Sequence, residues 1–300
     1  MPKKKRFTLT QKQQSMLAAY LFIAPNFLCV FFFLLVPILF AGGISFFSWN
    51  YAQGFGSWQF VGLDNFIKMW SDRWFLDSLV NTFVFSFSVV PTTVILAIVG
   101  AELIDKFCYG KKSIRLAAFL PYISNVVAIS AVWAMMYSDY GPVNALLRGL
   151  GVKSPPAWLA DYNWALPAVV IVTVWINLGY NILIYSGGIQ AIPKDYYEAS
   201  QIDGANRVQQ FLFITVPCLR PTTFFLVITN LISTFQVFGQ IMVMTKGGPG
   251  TSTHVLSYYI YTTAFNFYDM GYAAAISWVL FAIILAITLI QWKGQKKYDL

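Results

Sequence analysis

Long apolar runs separated by short polar segments dominate this chain of 300 residues. A hydrocarbon core about 30 Å thick is crossed by about 20 helical residues, and each long run reaches or approaches that length. The pattern therefore predicts an all-α membrane protein with six transmembrane helices. The predicted spans cover residues 17–47, 79–101, 116–137, 164–190, 221–245 and 271–292.

The first apolar run is longer than one straight crossing needs. Its length predicts a tilt or a bend, and Pro25 and Pro37 are the candidate bends because proline interrupts the helical hydrogen bonds. The run is also too long for the core of a signal peptide. We therefore expect it to remain as the first transmembrane helix.

The spans divide the chain into predicted regions. Residues 1–16 form a basic cytoplasmic tail and residues 17–47 the first transmembrane helix. A core domain with five transmembrane helices covers residues 78–292, and it includes a polar cytoplasmic loop at 191–220, here called the coupling loop. Residues 293–300 form a second cytoplasmic tail.

The distribution of basic residues predicts the orientation. Of the 20 Lys and Arg residues, those on one predicted side are Lys68, Arg73, Arg148, Lys153 and Lys246. All the others fall on the opposite side, which includes both termini. Since cytoplasmic loops carry the excess of Lys and Arg, both termini and the coupling loop are expected in the cytoplasm.

Composition excludes several classes of protein. With 58% hydrophobic and 11% charged residues, the chain is too apolar for a soluble domain. The net charge is +8, but the basic residues lie at the ends of the apolar runs and do not form a patch that could bind nucleic acid. Cys29, Cys108 and Cys218 lack metal-ligand spacing and are expected as free thiols. The one histidine, His254, is expected on the surface of a loop.

The coupling loop contains residues that typically begin and end helices, and their positions predict two short helices. Pro193 suits the first turn of a helix, and Gly204 is placed to end that helix in a left-handed conformation. Asp203 is expected to cap a second helix, with Arg207 as its ion-pair partner. Pro217 is expected to end the second helix.

One face of this second helix is predicted to be apolar, because Val208, Phe211, Leu212 and Thr215 recur at helical spacing. A bent pair of helices on a membrane surface offers one face to a partner. It also continues into the next transmembrane helix. This arrangement is suited to transmitting force.

The same segment resembles the EAA loop of ABC importer permeases, whose pattern is E-A-A, three residues, G, nine residues and I-x-L-P. Ser200 stands where the pattern has alanine and Val216 where it has leucine. The resemblance implies contact with a cytoplasmic ATPase. The residues to which it assigns this contact are Glu198, Ala199, Ser200, Asp203, Gly204, Ala205, Phe211, Ile214 and Pro217.

Three further segments are similar to the sugar branch of these permeases: residues 61–66, the Gly-Gly-Pro loop between Thr245 and Thr253, and residues 271–277. The resemblance implies a type I ABC importer permease fold in a bacterial inner membrane. It implies four kinds of partner: a second permease subunit, two cytoplasmic ATPase subunits, an extracytoplasmic solute-binding protein and a carbohydrate substrate. ATP and Mg²⁺ would bind the ATPase subunits. For this chain we expect no catalytic residue, metal or cofactor.

The six apolar cores contain no Asp, Glu, Lys, Arg or His. Ionisable groups inside a membrane mark proton relays and ion pathways, so their absence argues against proton coupling and favours an external motor. Neutral polar and aromatic side chains suit the hydroxyls and C–H faces of a sugar. The candidates for the substrate pathway are Asn177, Tyr180, Asn181, Asn230, Ser233, Thr234, Gln236, Gln240, Ser277 and Trp278.

Alternatives remain open at this stage. Each of these polar side chains could instead form hydrogen bonds between helices. A sodium site built from carbonyl and amide oxygens would make the chain an ion-coupled secondary carrier of a small neutral solute. A membrane scaffold without a pathway is a third hypothesis.

Overall fold

The computed structural model describes residues 10–295, which form helices and one small sheet. The basic residues 3–6 and the lysines at 296 and 297, which contribute to the predicted tails, lie outside the described residues. Helix α1 begins at Gln11, so part of the predicted N-terminal tail is helical.

The α-helices before the coupling loop are α1 (Gln11–Val30), α2 (Val36–Ile44), α3 (Asp64–Lys68), α4 (Arg73–Phe107), α5 (Lys111–Ile123), α6 (Val126–Met136), α7 (Pro142–Gly149) and α8 (Ala165–Gln190). Those within the coupling loop and after it are α9 (Lys194–Ile202), α10 (Arg207–Gln210), α11 (Val216–Cys218), α12 (Arg220–Phe235), α13 (Gly239–Met244), α14 (Leu256–Tyr261) and α15 (Met270–Gln295). Two 3₁₀ turns cover Tyr51–Gln53 and Phe55–Ser57. The antiparallel strands β1 (Phe47–Ser48) and β2 (Gln59–Phe60) pair Phe47 with Phe60.

Four helical segments of the described chain are long and apolar enough to cross a membrane: Ala18–Ile44, Arg73–Phe107, Ala165–Gln190 and Met270–Lys293. Two bent helix pairs bring the number to six if each pair is one span. The six predicted spans are therefore the upper end of what the structure supports. The described chain is mostly helical, as predicted, and it also contains the short β1–β2 pair.

The predicted third span, residues 116–137, is not one helix. Helices α5 and α6 meet at an angle of 96°. The break follows Ser124, where the Asn125 side chain accepts hydrogen bonds from the backbone N–H groups of Val127 (2.8 Å) and Ala128 (3.3 Å). The asparagine therefore starts a new helix, because it satisfies donors that have no partner within the helix.

The predicted fifth span, residues 221–245, is also interrupted. Helix α12 ends at Phe235, and α13 begins only at Gly239. Ser257 donates a hydrogen bond to the carbonyl oxygen of Val237 within this break. Because an unpaired backbone carbonyl is costly away from water, this side-chain donor stabilises the interruption.

Two π-helical turns each come just before a proline. Phe31–Leu35 precedes Pro37, and Phe211–Thr215 precedes Pro217. Proline has no N–H and its ring crowds the carbonyl four residues earlier, and the wider π turn relieves that crowding. Helix α1 contains Pro25, and this π turn comes before Pro37, so the bends expected at these two prolines stay predictions. A third π turn covers Thr262–Asn266.

Helices α4 and α8 form the centre of the packed structure. Ala97 and Ala101 on α4 and Tyr185 on α8 are fully buried in one shared apolar cluster. Helix α5 crosses α8 so closely that a Cβ added at Gly179 would lie 1.8 Å from the carbonyl oxygen of Ala118. Small residues at helix crossings are what allows such close approach within a membrane.

A carboxylate ties three elements together. Asp72 Oδ2 accepts hydrogen bonds from the hydroxyl groups of Tyr259 (2.5 Å) and Tyr272 (2.6 Å). Beside them Lys68 Nζ lies 3.4 Å from Asp269 Oδ2 and 4.1 Å from the centre of the Tyr272 ring. These contacts hold the starts of α4 and α15 against α14.

Candidate coupling and substrate-pathway sites

The first helix of the coupling loop ends as its glycine predicts. Gly204 has φ of +81°, and its N–H donates to the carbonyl of Gln201 at 3.1 Å. The N–H of Ala205 donates to the carbonyl of Ser200 at 2.9 Å. This pair of bonds is a Schellman motif, and it turns the chain sharply away from α9.

The cap of the second helix differs from the prediction. Asp203 lies at the end of α9 and does not cap α10. That role belongs to Asn206, whose side chain accepts from the Gln209 N–H at 2.9 Å while Gln209 Oε1 accepts from the Asn206 N–H at 2.8 Å. Because Asn206 forms this reciprocal capping box, the Asp203 carboxylate is left at the exposed end of α9.

The predicted ion pair of Arg207 with Asp203 is absent from the described residues. Instead, the guanidinium of Arg207 lies 5.1 Å from the centre of the Phe107 ring on α4. A guanidinium stacks well on an aromatic face. This contact links the start of α10 to the end of α4.

Hydrogen bonds between side chains hold α9 against the helix that follows. Ser200 Oγ accepts from Gln210 Nε2 at 3.0 Å, and the Tyr197 hydroxyl meets Thr215 Oγ1 at 2.9 Å. Gln210 and Thr215 are buried. Ser200, where this chain departs from the alanine of the EAA pattern, therefore has a structural role. Sequence reasoning missed Gln210, and its only signal is a polar residue at the start of an apolar run.

The second helix of the coupling loop is packed on one side only. Phe211 and Ile214 contact the cluster formed by the ends of α4, α8 and α12, and Pro217 is half-buried. Val208 and Leu212 are exposed, although the predicted apolar face groups them with Phe211 and Thr215. The π turn changes the helical spacing between these residues, so they do not share one buried face.

Four of the predicted contact residues lie on the exposed side of α9 and in the turn that follows it. Glu198, Ala199, Asp203 and Gly204 are all exposed. Within the described part of the chain Glu198 has no ion-pair partner. The predicted contact residues thus form two groups: one on the free surface of α9, the other anchoring the second helix to the transmembrane helices.

Two of the candidate pathway residues pair with each other. Asn230 Nδ2 donates to Asn181 Oδ1 at 2.7 Å, and Asn181 Nδ2 lies 3.3 Å from Asn230 Oδ1. Both are buried, and Asn177 donates to the Thr173 carbonyl of its own helix at 2.9 Å. The hydrogen bonds of Asn181 and Asn230 join α8 to α12, as the alternative interpretation expects.

Other candidates lie where the two interrupted spans meet. A Cβ at Gly239 would lie 3.0 Å from Val126 Cγ1, so α13 begins directly beside the start of α6. Ser233 and Gln236 flank the end of α12 and are exposed, and Gln240 is half-buried. Interrupted helices in a membrane are tolerated where they line a cavity or are buried in protein, so these side chains stay candidates for the pathway.

Aromatic candidates have different surroundings. The Tyr180 ring stacks on Tyr122, which sequence reasoning missed, with centres 4.7 Å apart and planes 13° apart. Trp278 packs over Gly42 of α2, where an added Cβ would lie 3.1 Å from the indole. Thr234 and Ser277 donate to backbone carbonyls of their own helices. Tyr122 and Tyr180 thus form a stacked aromatic pair beside the break between α5 and α6.

The expectation for His254 is wrong, because this residue is only 4% exposed. The imidazole lies among Trp74, Tyr258 and Tyr259, and its Nδ1 is 3.5 Å from Ser78 Oγ. Asn81 Nδ2 donates to the His254 carbonyl at 2.9 Å and so fixes the loop to α4. The histidine is a packed anchor of the loop that follows α13.

His254 is expected to make the stability of this chain depend on pH. Burial lowers the pKa of its imidazole from 6.5, and the Asp77 carboxylate opposes that shift. Just below pH 6.5 the unfolded chain therefore binds more protons at this residue than the folded chain. We expect its free energy of unfolding to fall as the pH falls below 6.5, by up to about 1.4 kcal/mol for each pH unit.

Thermal unfolding in detergent between pH 7.5 and 5.5, using a histidine-free affinity tag, measures this dependence. His254→Gln keeps a polar side chain of similar reach and removes the titration, because this is the chain's only histidine. The variant should be less stable at pH 7.5 and should vary less with pH. Equal slopes for both proteins would assign the pH dependence to other groups.

Comparison with known proteins gives concordant matches. Residues 69–292 match the family described as "Binding-protein-dependent transport system inner membrane component". The lactose transport system permease protein LacF of Rhizobium radiobacter is 34% identical, covering 93% of this chain and 94% of the relative. The sn-glycerol-3-phosphate transport system permease protein UgpA of Agrobacterium fabrum is also 34% identical, with the same coverage of 93% and 94%. A chain of a bacterial ABC transporter that imports the acidic polysaccharide alginate has the same fold, with a TM-score of 0.81, 23% identity and coverage of 95% and 96%.

Proposed function

The chain belongs to the family of binding-protein-dependent transport system inner membrane components, and we propose that it is a permease subunit of an ATP-driven sugar importer. It would form part of the pathway for a sugar or oligosaccharide together with a second permease subunit. An extracytoplasmic binding protein would deliver the substrate. Two ATPase subunits would bind on the cytoplasmic side and hydrolyse ATP, so this chain itself would not be an enzyme.

The observation that carries the proposal is the attachment of the coupling loop. Tyr197 and Ser200 bond α9 to the segment that contains Gln210 and Thr215. That segment continues through α11 into α12 and packs against α4 and α8. A partner that moves α9 would therefore move the cytoplasmic ends of three transmembrane helices, and the exposed residues of α9 are available for that partner.

The lining of the proposed pathway favours a neutral sugar. The names of the relatives include lactose and sn-glycerol-3-phosphate, so similarity alone does not decide the charge of the substrate. Ser233, Gln236 and Gln240 beside the interrupted helices are uncharged donors and acceptors, and Tyr122 and Tyr180 provide ring faces. A phosphorylated solute would require a cation, and none of the candidate pathway residues is basic.

The first test is uptake by the importer reconstituted with its own partner subunits and binding protein. A panel of neutral mono-, di- and trisaccharides that includes lactose is compared with sn-glycerol-3-phosphate. Uptake should require ATP and should occur for a member of the neutral panel. Uptake that survives ATP depletion but collapses with the ion gradient would favour the secondary carrier. Uptake of the phosphate ester alone would contradict the neutral lining.

Gln236→Leu tests the pathway within this assay. Leucine has a similar volume but cannot hydrogen-bond a sugar hydroxyl, so we expect about fivefold to tenfold less uptake at limiting substrate. Gln190→Leu is the matched control, because Gln190 is an exposed amide at the far end of α8. Equal uptake by the two variants would place Gln236 outside the pathway.

A further inference from the structure

A groove of about 270 Å³ lies where the end of α4 meets the start of α10. Its apolar walls include Val99, Leu103 and Phe107 on α4 and Val208 on α10. The residues Leu103, Phe107 and Val208 are 50%, 54% and 66% exposed. Since α4 is a membrane-crossing helix in its length and composition, its exposed apolar face meets hydrocarbon. The groove is therefore open to the acyl chains of the bilayer.

Two cations stand at this apolar groove. Lys106 Nζ is 2.5 Å from Glu102 Oε1 and 5.1 Å from the centre of the Tyr197 ring. The guanidinium of Arg207 stacks on Phe107 and has no ion-pair partner among residues 10–295. With Glu102 the cluster carries one excess positive charge. Lys and Arg side chains at the end of a transmembrane helix attract anionic lipid headgroups.

The carboxylate of Glu102 indicates that the ligand also carries a hydrogen-bond donor. Glu102 lines the groove and is only 6% exposed. Lys106 pairs with one of its oxygens, while the other, Oε2, has no hydrogen-bond donor within the described part of the chain. A buried carboxylate oxygen without a donor is unfavourable. A ligand that combines a phosphate with a hydroxyl group would satisfy the cations and this oxygen together.

We propose that this groove binds an anionic phospholipid whose headgroup carries hydroxyl groups, such as phosphatidylglycerol. The phosphate contacts Arg207 and Lys106, a headgroup hydroxyl donates to Glu102, and an acyl chain lies along Val99, Leu103 and Val208. The proposal rests on the placement of α4 in a membrane and is independent of which sugar is transported. The lipid would sit at the joint between α4 and the coupling loop, so its binding would stabilise their contact.

The test measures lipid binding to the purified full-length chain by native mass spectrometry. Three probes are compared: phosphatidylglycerol, phosphatidylmethanol, which has the same charge but no headgroup hydroxyl, and phosphatidylcholine, which has no net charge. We expect phosphatidylglycerol to bind about tenfold more tightly than phosphatidylcholine, with phosphatidylmethanol between them. Equal binding of all three would overturn the proposal, and equal binding of the two anionic lipids would remove the role of Glu102.

Variants locate the bound lipid. Arg207→Gln should lose most of the preference for phosphatidylglycerol, and Arg207→Lys should keep part of it because the charge remains. Lys112→Gln is the matched control: it removes an exposed cation at the start of α5, outside the groove, and should change binding by less than about twofold. An unchanged preference in Arg207→Gln contradicts the proposal. Loss of the lipid when the ATPase subunits bind would assign the groove to a protein partner.

Discussion

Replacing Gly204 with arginine is expected to remove the ATPase subunits from the purified assembly and to abolish ATP-driven uptake. At φ of +81° a side chain strains the backbone by about 1 kcal/mol or more. A Cβ at this position meets no atom of the chain within 4 Å, so the fold should survive. The arginine would project from the exposed surface that we propose as the ATPase contact, and it would block the close approach of the partner.

The control for this variant is Gly110→Arg. Gly110 also has a left-handed backbone, with φ of +70°, and an added Cβ there also meets no atom within 4 Å. It precedes α5 and lies outside the coupling loop. The two arginine variants therefore carry the same charge and comparable strain. Gly204→Ala adds the strain without the long side chain and should have an intermediate effect.

Co-purification from membranes in a mild detergent provides the measurement. The ATPase bound per permease should fall by at least about tenfold in Gly204→Arg, which is the size of effect expected at the centre of an interface. Gly110→Arg should retain it. If both variants lose the ATPase, the cause is charge or strain and not the contact surface. If Gly204→Arg retains it fully, α9 is not where the ATPase binds.

Features with a local cause could be predicted from the sequence. The ends of α8 agree with the predicted span 164–190 to within one residue. The left-handed Gly204 was also predicted, because glycine adopts this conformation without a steric cost. Both predictions depend only on neighbouring residues, and the same is true of the apolar segments long enough to cross a membrane.

The interruptions of the third and fifth spans were missed because hydropathy does not report them. Residues 116–137 and 221–245 contain no charged residue, and a window average of hydropathy treats each as one helix. The signal at the first break was a helix cap: Asn125 directly precedes an apolar segment and satisfies its first N–H groups. At the second break the stabilising donor is Ser257, which lies 20 residues away from Val237. Such a contact cannot be predicted from local pattern.

In the candidate sites, too, some features have a local signal in the sequence and others depend on how the helices pack. Asn206 and Gln209 have the spacing of a capping box, so this cap of α10 can be predicted from the sequence. The prediction of Asp203 as the cap overlooks that spacing. The pairing of Asn181 with Asn230 depends on how α8 and α12 meet. The burial of His254 depends on three aromatic rings from α4 and α14. Residue type alone could not distinguish these packed polar groups from free ones.

The crossing of α5 and α8 provides the second large expected effect. We expect Gly179→Ala to reduce the amount of folded protein sharply and to lower its free energy of unfolding by about 3 kcal/mol or more. The added Cβ would lie 1.8 Å from the Ala118 carbonyl oxygen and 2.7 Å from the Phe119 nitrogen. These are backbone atoms, so no change of side-chain rotamer relieves the overlap. The helices would have to separate.

Gly187→Ala is the matched control within the same helix. Gly187 is exposed, and an added Cβ meets no atom within 4 Å. Because alanine favours a helix over glycine by about 1 kcal/mol, this variant should be as stable as the wild type or slightly more so. Membrane yield and thermal unfolding in detergent compare the two. Equal midpoints would mean that α5 does not approach α8 at Gly179. A loss of stability in Gly179→Ala together with none in Gly187→Ala would show that the crossing of α5 and α8 requires glycine at position 179.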